Sequence, residues 1–380
     1  MIVMQIQRAY KTEIDPNNVQ RTLLLKHSGC ARFAYNWGLA RIKDNISKPN
    51  AMMLHKELNA LKPTDFPWMY DVSKCTAQEA LRDLQKAFQN FFDKRAKFPT
   101  FKSKHNGIGS FRLTGTIKVE DKRIQLPRLG WIKLKESSYI PQDAHILSVT
   151  VSESAGRWYV SVLVKEEIEQ SELNPNILGI DLGIKTLATC SDGTTYVNPK
   201  ALIKYEEKLK RLQRKLSRQQ KTSNRRKATK NKIATVWAKI RHIRTDVIQK
   251  ATTDIVKTKQ YQIIALEDLH IKGMMKCHNL AKSVSDAAMR QFRTTLEYKQ
   301  AWAGGEINLV DRWYPSSKTC SACGYVKSKL NLSERTFVCE DCGIVMDRDL
   351  NASINLKTYT ASSAGINGRG DAKVHKLATV

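Results

Sequence analysis

Cys320 and Cys323 form one Cys-x2-Cys pair, Cys339 and Cys342 form a second, and Asp347-Arg348-Asp349-Leu350-Asn351-Ala352 follows almost at once. Fifteen residues separate the two pairs. That spacing lets two knuckles fold back and offer one zinc ion four thiolates in a tetrahedron, as in a zinc ribbon. A disulfide pair is the alternative, but Cys30, Cys75, Cys190 and Cys277 are scattered singly and no secretory signal precedes them, so a reducing cytosol is expected. Four cysteines leave a zinc ion no open position, so this metal should hold structure and leave the chemistry to carboxylates.

Three carboxylates stand where elements should end. Asp181 closes the apolar run Ile177-Leu178-Gly179-Ile180, Glu267 closes Tyr261 to Leu266, and Asp349 opens a helix-like stretch through Leu350, Ile354 and Leu356. Side by side, such groups suit two magnesium ions, hard cations that prefer oxygen ligands. Two ions roughly 4 Å apart would stabilise the attacking and leaving oxygens of a phosphodiester displacement. Acidic residues also cap helices and end strands without any catalytic role, and Asp268 and Asp347 are close competitors. Asp349 is preferred because a carboxylate in a first helical turn meets the positive end of the dipole.

The elements that must position these groups follow from periodicity. Residues from Ile2 to Arg8 alternate as a strand, and Asp15-Pro16 reads as a helix start. Two helices are expected over Pro16 to Lys26 and Cys30 to Asn45, broken at Ser28-Gly29, and a third over Ser73 to Lys94. Short strands follow at 117–119, 123–126, 131–134, 145–151 and 157–164, a small antiparallel barrel or sandwich with which the opening strand should pair. After Pro175 a second domain begins with a meander of strands over 177–181, Thr186 to Cys190 and Thr194 to Val197. A helical hairpin then carries leucines 209, 212 and 216 on one stripe and Ile233, Val236, Trp237, Ile240, Ile243 and Val247 on the other.

Charge names the class of partner. Lysine and arginine number 64 against 36 acidic residues in 380, a formal +28, and 41% hydrophobic residues are enough for real cores. Between Lys204 and Lys250 there are 17 basic and 3 acidic residues, half of that excess. A solvated face is the plain alternative, but such a concentration suits a phosphate backbone. No run is long and apolar enough to cross a bilayer, so no membrane partner is expected. Beyond Leu356 the composition suggests disorder.

The runs Gly179-Ile180-Asp181-Leu182-Gly183-Ile184-Lys185, Leu266-Glu267-Asp268-Leu269, Thr319-Cys320-Ser321-Ala322-Cys323-Gly324 and Asp347 to Ala352, with Arg32-Phe33-Ala34-Tyr35-Asn36 and Phe98-Pro99-Thr100-Phe101-Lys102 upstream, resemble the transposon-encoded TnpB family, relatives of type V CRISPR effectors. The resemblance implies a multidomain α+β protein. A wedge-like β-barrel would cover 1–25 and 110–172, with a helical recognition domain inserted over 26–109. A RuvC-like nuclease of ribonuclease H fold would cover 173–312 and 344–357, with the basic hairpin 204–250, a zinc ribbon over 313–343 and a disordered tail over 358–380. It further implies an RNA-guided endonuclease in which base pairing reads sequence and the protein reads a short flanking motif and the backbone.

On that resemblance Asp181, Glu267 and Asp349 are the catalytic residues and ligands of two magnesium ions, and one zinc ion sits on the four cysteines. Lys74, Gln78 and Thr114 look like motif-reading positions. A solvated pair is the alternative for Lys74 and Gln78, which are four apart on one helix face. Arg211, Arg214, Lys215, Arg218, Arg225 and Arg226 are expected on guide RNA and heteroduplex. The partners would be a guide RNA from the transposon end and double-stranded target DNA, bound by a monomeric ribonucleoprotein in the cytoplasm of a prokaryotic cell. A non-cleaving zinc-ribbon regulator and a transposase are the competing classes. The acidic trio opposes the first. The second would need a tyrosine nucleophile with paired histidines, and no His-x-His occurs.

Overall fold

The structure, a computed structural model, describes residues 3–170, 172–331 and 334–367. The chain forms two compact units, one of Gln5–Glu167 and one from Ile168 onward that also takes the first residues.

In the first unit a long opening strand β1 (Val3–Asp15) leads into helices α1 (Asn18–Lys43), α2 (Ala51–Leu61) and α3 (Lys74–Phe92). Strands β2 (Ser110–Leu113), β3 (Lys118–Glu120), β4 (Arg123–Leu126), β5 (Gly130–Leu134), β6 (His145–Ser154) and β7 (Arg157–Glu169) follow. They form one sheet of order β2-β6-β7-β1-β5-β4-β3, so the opening strand does join the later ones. The sheet is not closed into the expected barrel. Strands β2 and β3 remain its two edges, and β2 packs against α1 and α3 instead of meeting β3. A single apolar core runs from Leu24, Leu39, Leu81 and Leu84 on the helices to Ile124, Ile132, Val149 and Val160 on the sheet.

Helix α1 is continuous where a break was expected at Ser28-Gly29. Leu24, His27, Cys30, Ala31 and Ala34 carry one buried stripe straight through the pair. His27 pins the middle: Nδ1 lies 2.7 Å from the Leu23 carbonyl, Nε2 accepts the Ser73 N–H at 3.1 Å, and the ring stacks on Phe111. Burial lowers its pKa, which suits the neutral ring that these roles require. The helix start also differs from expectation. Asn17, not Asp15, is the N-cap, in a capping box with Gln20.

The second unit contains β8 (Asn174–Leu182), β9 (Thr186–Cys190), β10 (Thr195–Val197), α4 (Ala201–Ser217), α5 (Asn224–Thr253), β11 (Tyr261–Glu267), α6 (Ile271–Met274), α7 (His278–Ala287), α8 (Met289–Trp302), β12 (Glu306–Val310), β13 (Thr336–Val338), β14 (Val345–Asp347) and α9 (Arg348–Asn367). Its main sheet has the order β10-β9-β8-β11-β12: an antiparallel meander, then two strands parallel to β8. Leu178, Ile180, Ile264 and Leu266 face one way, into a core with Ile248 of α5 and Phe292 and Leu296 of α8. Ala265 and Val310 face Leu356 of α9 on the other.

Helices α4 and α5 form the expected hairpin, with Leu209, Val236 and Ile240 buried between them. Trp237 departs from its expected stripe and is 40% exposed, because positions 236 and 240 fill the seam and 237 falls about 100° away. The disorder expected from 358 is not found over 358–367. Helix α9 continues to Asn367, since Thr360 is buried and Tyr359 packs on Tyr314; the hydroxyls of Thr358, Ser362 and Ser363 return to carbonyls four residues back and so do not interrupt it. Residues 368–380 of that expected tail lie outside the described residues.

Candidate active site and cysteine metal centre

Parallel pairing of β8 with β11 matches Gly179 to Ala265 and Ile180 to Leu266. Asp181 and Glu267 therefore follow at adjacent positions, at the carboxyl ends of neighbouring strands and on one face of the sheet. Helix α9 lies on that face, and one missing side chain lets it come close. A Cβ on Gly179 would stand 1.9 Å from the Ser353 carbonyl oxygen and 2.8 Å from the Lys357 nitrogen. Asp181 is two residues along the strand, about 6.6 Å, and Asp349 is four residues back along the helix, about 6 Å. The contact at Gly179 thus sets Asp349 beside Asp181. A Cβ on Gly183 would lie 4.0 Å from Asp349 Oδ2, which marks the same spot.

Electrostatics register the crowding. Burial, then the charges of Asp349 and Glu267, push the Asp181 carboxyl up to about 7, with Arg348 opposing. Burial, with the charge of Asp268, raises Glu267 too. The two competitors have other partners. Asp268 pairs with Arg293 at 3.0 Å and with Arg312, and these hydrogen bonds lower its pKa. Asp347 Oδ1 accepts the N–H groups of Asp349 and Leu350 at 2.9 and 3.0 Å, capping α9. Asp349 lies in the first turn and is paired with Arg348 at 3.1 Å, while Arg348 also donates to the Glu334 carbonyl at 3.0 Å.

The cysteines are a tighter group. Among the described residues they alone form a set of three or more metal-type ligands whose donor atoms all lie within 4.8 Å of one another. Cys320 and Cys342 Sγ are 3.7 Å apart and Cys323 and Cys339 Sγ 3.6 Å. A tetrahedron of thiolates at about 2.3 Å from zinc has edges of about 3.8 Å, whereas a disulfide would bring sulfurs to about 2 Å. The set can hold a metal ion. Asp181, Glu267 and Asp349 do not form such a set.

Two asparagines join the centres, and sequence reasoning gave them no role. Asn351 accepts the Ser321 N–H at 2.9 Å and donates to the Thr319 carbonyl at 2.7 Å; Asn355, one turn on, donates to the carbonyls of Ser316 and Thr319. Both are buried. Their i, i+4 spacing was the available signal. They tie the first cysteine knuckle to the helix that carries Asp349.

The other expected residues lie elsewhere. Lys74 is exposed and Gln78 half-buried on α3, and Thr114 is close to that helix's start, its carbonyl 3.4 Å from Cys75 Sγ. Arg211, Arg214, Lys215, Arg218 and Arg225 are exposed on the hairpin. Arg226 is half-buried, and its guanidinium donates to the carbonyls of Leu216 and Gln219, clasping the turn. The hairpin base is fixed by buried Asp286, which accepts the Leu202 N–H at 2.9 Å and pairs with Arg244 at 2.7 Å.

The chain is 36% identical over 363 residues to a "Putative RNA-guided DNA endonuclease" of Streptomyces pristinaespiralis, covering 93% of this chain and 90% of that one. It is 32% identical to the "Putative RNA-guided DNA endonuclease InsQ" of Escherichia coli K12, covering 93% and 92%. This chain belongs to the TnpB family. Family models described as "Probable transposase", "Cas12f1-like, TNB domain" and "Helix-turn-helix domain" match residues 149–278, 290–356 and 4–50 of this TnpB-family chain. The last of these stretches holds β1, α1 and the approach to α2. A solved Cas12f1–sgRNA–target DNA complex has a protein of the same fold, with a TM-score of 0.58 at 14% identity, covering 93% of this chain and 99% of that one. Among the described residues, no helix is long and apolar enough to cross a membrane.

Proposed function

We propose that this protein is an RNA-guided endonuclease that cuts double-stranded DNA at Asp181, Glu267 and Asp349. The observation that carries the reading is the packing of α9 on Gly179, which gathers carboxylates from residues 181, 267 and 349 at one end of the sheet. The strand order, a meander followed by two parallel strands, supports a ribonuclease H-type nuclease, and the relatives' names supply the RNA guide and the DNA substrate. The raised Asp181 pKa, set first by burial and then by the charges of Asp349 and Glu267, fits a site built for cations.

When bound, two magnesium ions would supply charge stabilisation to the attacking and leaving oxygens of the displacement. Asp181 would ligate from its strand end and must shed its proton to do so. Glu267 would ligate from the next strand, free of the arginines that engage Asp268. Asp349 would ligate from the helix, with Asp347 capping the turn and Arg348 orienting its carboxylate. The four cysteines would hold one zinc ion that braces the knuckle against Asn351 and Asn355. The exposed hairpin arginines would track the guide and heteroduplex backbone, with Arg226 fixing the turn, and Lys74, Gln78 and Thr114 would face the flanking motif. In this scheme 1–25 with 110–172 is the wedge and 26–109 the recognition segment.

Sequencing the RNA that copurifies with the protein, then offering duplex DNA that matches it, tests the reading. Magnesium-dependent cutting of matched duplex is expected. Cutting that ignores the RNA sequence, or firm binding without any cutting, would favour the transposase or the non-cleaving regulator.

A further inference from the structure

Trp313 is 85% exposed, more than any other large apolar side chain among the described residues. Isolated surface hydrophobics are common, so exposure alone means little. What sets Trp313 apart is the rigidity of its support. Asp311 Oδ1 accepts the Trp313 N–H at 2.7 Å and the Asp311 carbonyl accepts that of Tyr314 at 3.0 Å. On one side Arg312 pairs with Asp268. On the other Tyr314 packs on Tyr359, ring centroids 4.6 Å apart, beside Val310 and Leu356. The turn's backbone is thus held from both sides while the Trp313 indole projects to solvent.

The turn also has a telling place. It leaves the end of β12, where Val310 is the register partner of Glu267, and the Asp268 N–H donates to the Val310 carbonyl at 3.0 Å. Trp313 is three residues on, so its Cα lies within roughly 16 Å of that of Glu267. At 3.4 Å per stacked nucleotide that is a reach of about five nucleotides. A DNA strand entering the carboxylates must do so unpaired, with bases that have lost their stacking neighbours, and an exposed indole on a hydrogen-bonded turn offers them a sequence-tolerant platform.

We propose that Trp313 is a stacking platform for a base of the single DNA strand being cut, setting where that strand halts over the carboxylates. The proposal rests on the reading of Asp181, Glu267 and Asp349 as the cutting site. Its test therefore includes a measurement that needs no cutting. Guide-loaded Asp181→Asn protein, bound to target duplex with 5-iodouracil placed singly along each strand, is irradiated and the crosslinked peptide sequenced. Crosslinks from one or two adjacent DNA positions to Trp313, lost in a Trp313→Ala version, are expected. In protein with Asp181 intact, Trp313→Ala should slow cutting about 5- to 150-fold at saturating target, Trp313→Phe should recover most of it, and zinc content should not change. An abasic nucleotide at the crosslinked position should slow the wild type by a similar factor and the Ala variant no further. Crosslinks to guide RNA alone, full cutting by Trp313→Ala, or abasic effects that add to the substitution would each overturn the proposal. Full cutting by Asp181→Asn would overturn the cutting site instead, and the crosslink would still report on Trp313.

Discussion

The cysteine cluster and the carboxylate cluster nearly touch in sequence at Cys342 and Asp349, yet they are assembled in opposite ways. The cysteines come from two knuckles 15 residues apart, and their sulfurs already approach the edges of a tetrahedron. The carboxylates come from positions 181, 267 and 349, are held together by a strand register and one helix contact, and strain against each other's charge. A local motif can close its own geometry. A dispersed one depends on the fold for position and on cations for neutrality, so losing a carboxylate should leave the cysteine cluster intact.

Removing a carboxylate should have the largest effect. Glu267→Gln or Asp349→Asn should reduce cutting on the order of 10³-fold or more, since several kcal/mol of charge stabilisation is lost, with zinc content by elemental analysis unchanged. Gly179→Ala should do nearly as much without touching a carboxylate, because the new methyl forces α9 off β8. Overpacking of this kind costs about 1–3 kcal/mol of stability, read as a fall in Tm, and a variant that folds, retains zinc and cuts normally would refute the role of that contact.

Cys320→Ser attacks the other side. Zinc should be lost and the ribbon loosened, with cutting reduced to the extent that Asn351 and Asn355 pass the disorder to α9. Unaltered zinc content would contradict the four-thiolate reading. Asp181→Asn should raise the stability of the divalent-free protein at pH 8. The wild-type carboxyl, held up at about 7 when folded and near 4 when unfolded, contributes stability that declines as pH rises through that window. The gain, up to about 4 kcal/mol, should vanish at pH 4 and shrink with magnesium present. Arg211→Ala with Arg214→Ala should have the smallest effect, lowering the salt dependence of RNA binding by about two phosphate contacts.

Legibility in the sequence followed the same division. The cysteine cluster and the meander strands β9 and β10 rest on local spacing and turn chemistry; the four cysteines do come together, and the strands have nearly the expected limits. Asp181 and Glu267 were visible as strand ends, but choosing Glu267 over Asp268 needed Arg293 and Arg312, which only the fold brings near. Gly179 lies in the motif Gly179 to Lys185, with no sign in the sequence that Ser353 would rest on it. The Ser28-Gly29 pair looked like a break because the partners of His27, at Ser73 and Phe111, lie more than 40 residues away. The barrel failed because alternation marks strands and not whether the two edge strands meet.

The most direct test of the central claim compares binding and cutting in one sample. Wild-type and Asp181→Asn proteins, each loaded with the same guide RNA, are given matched duplex DNA with magnesium. Equal occupancy of the target is expected, with cutting by the wild type alone. Equal cutting by both would contradict it.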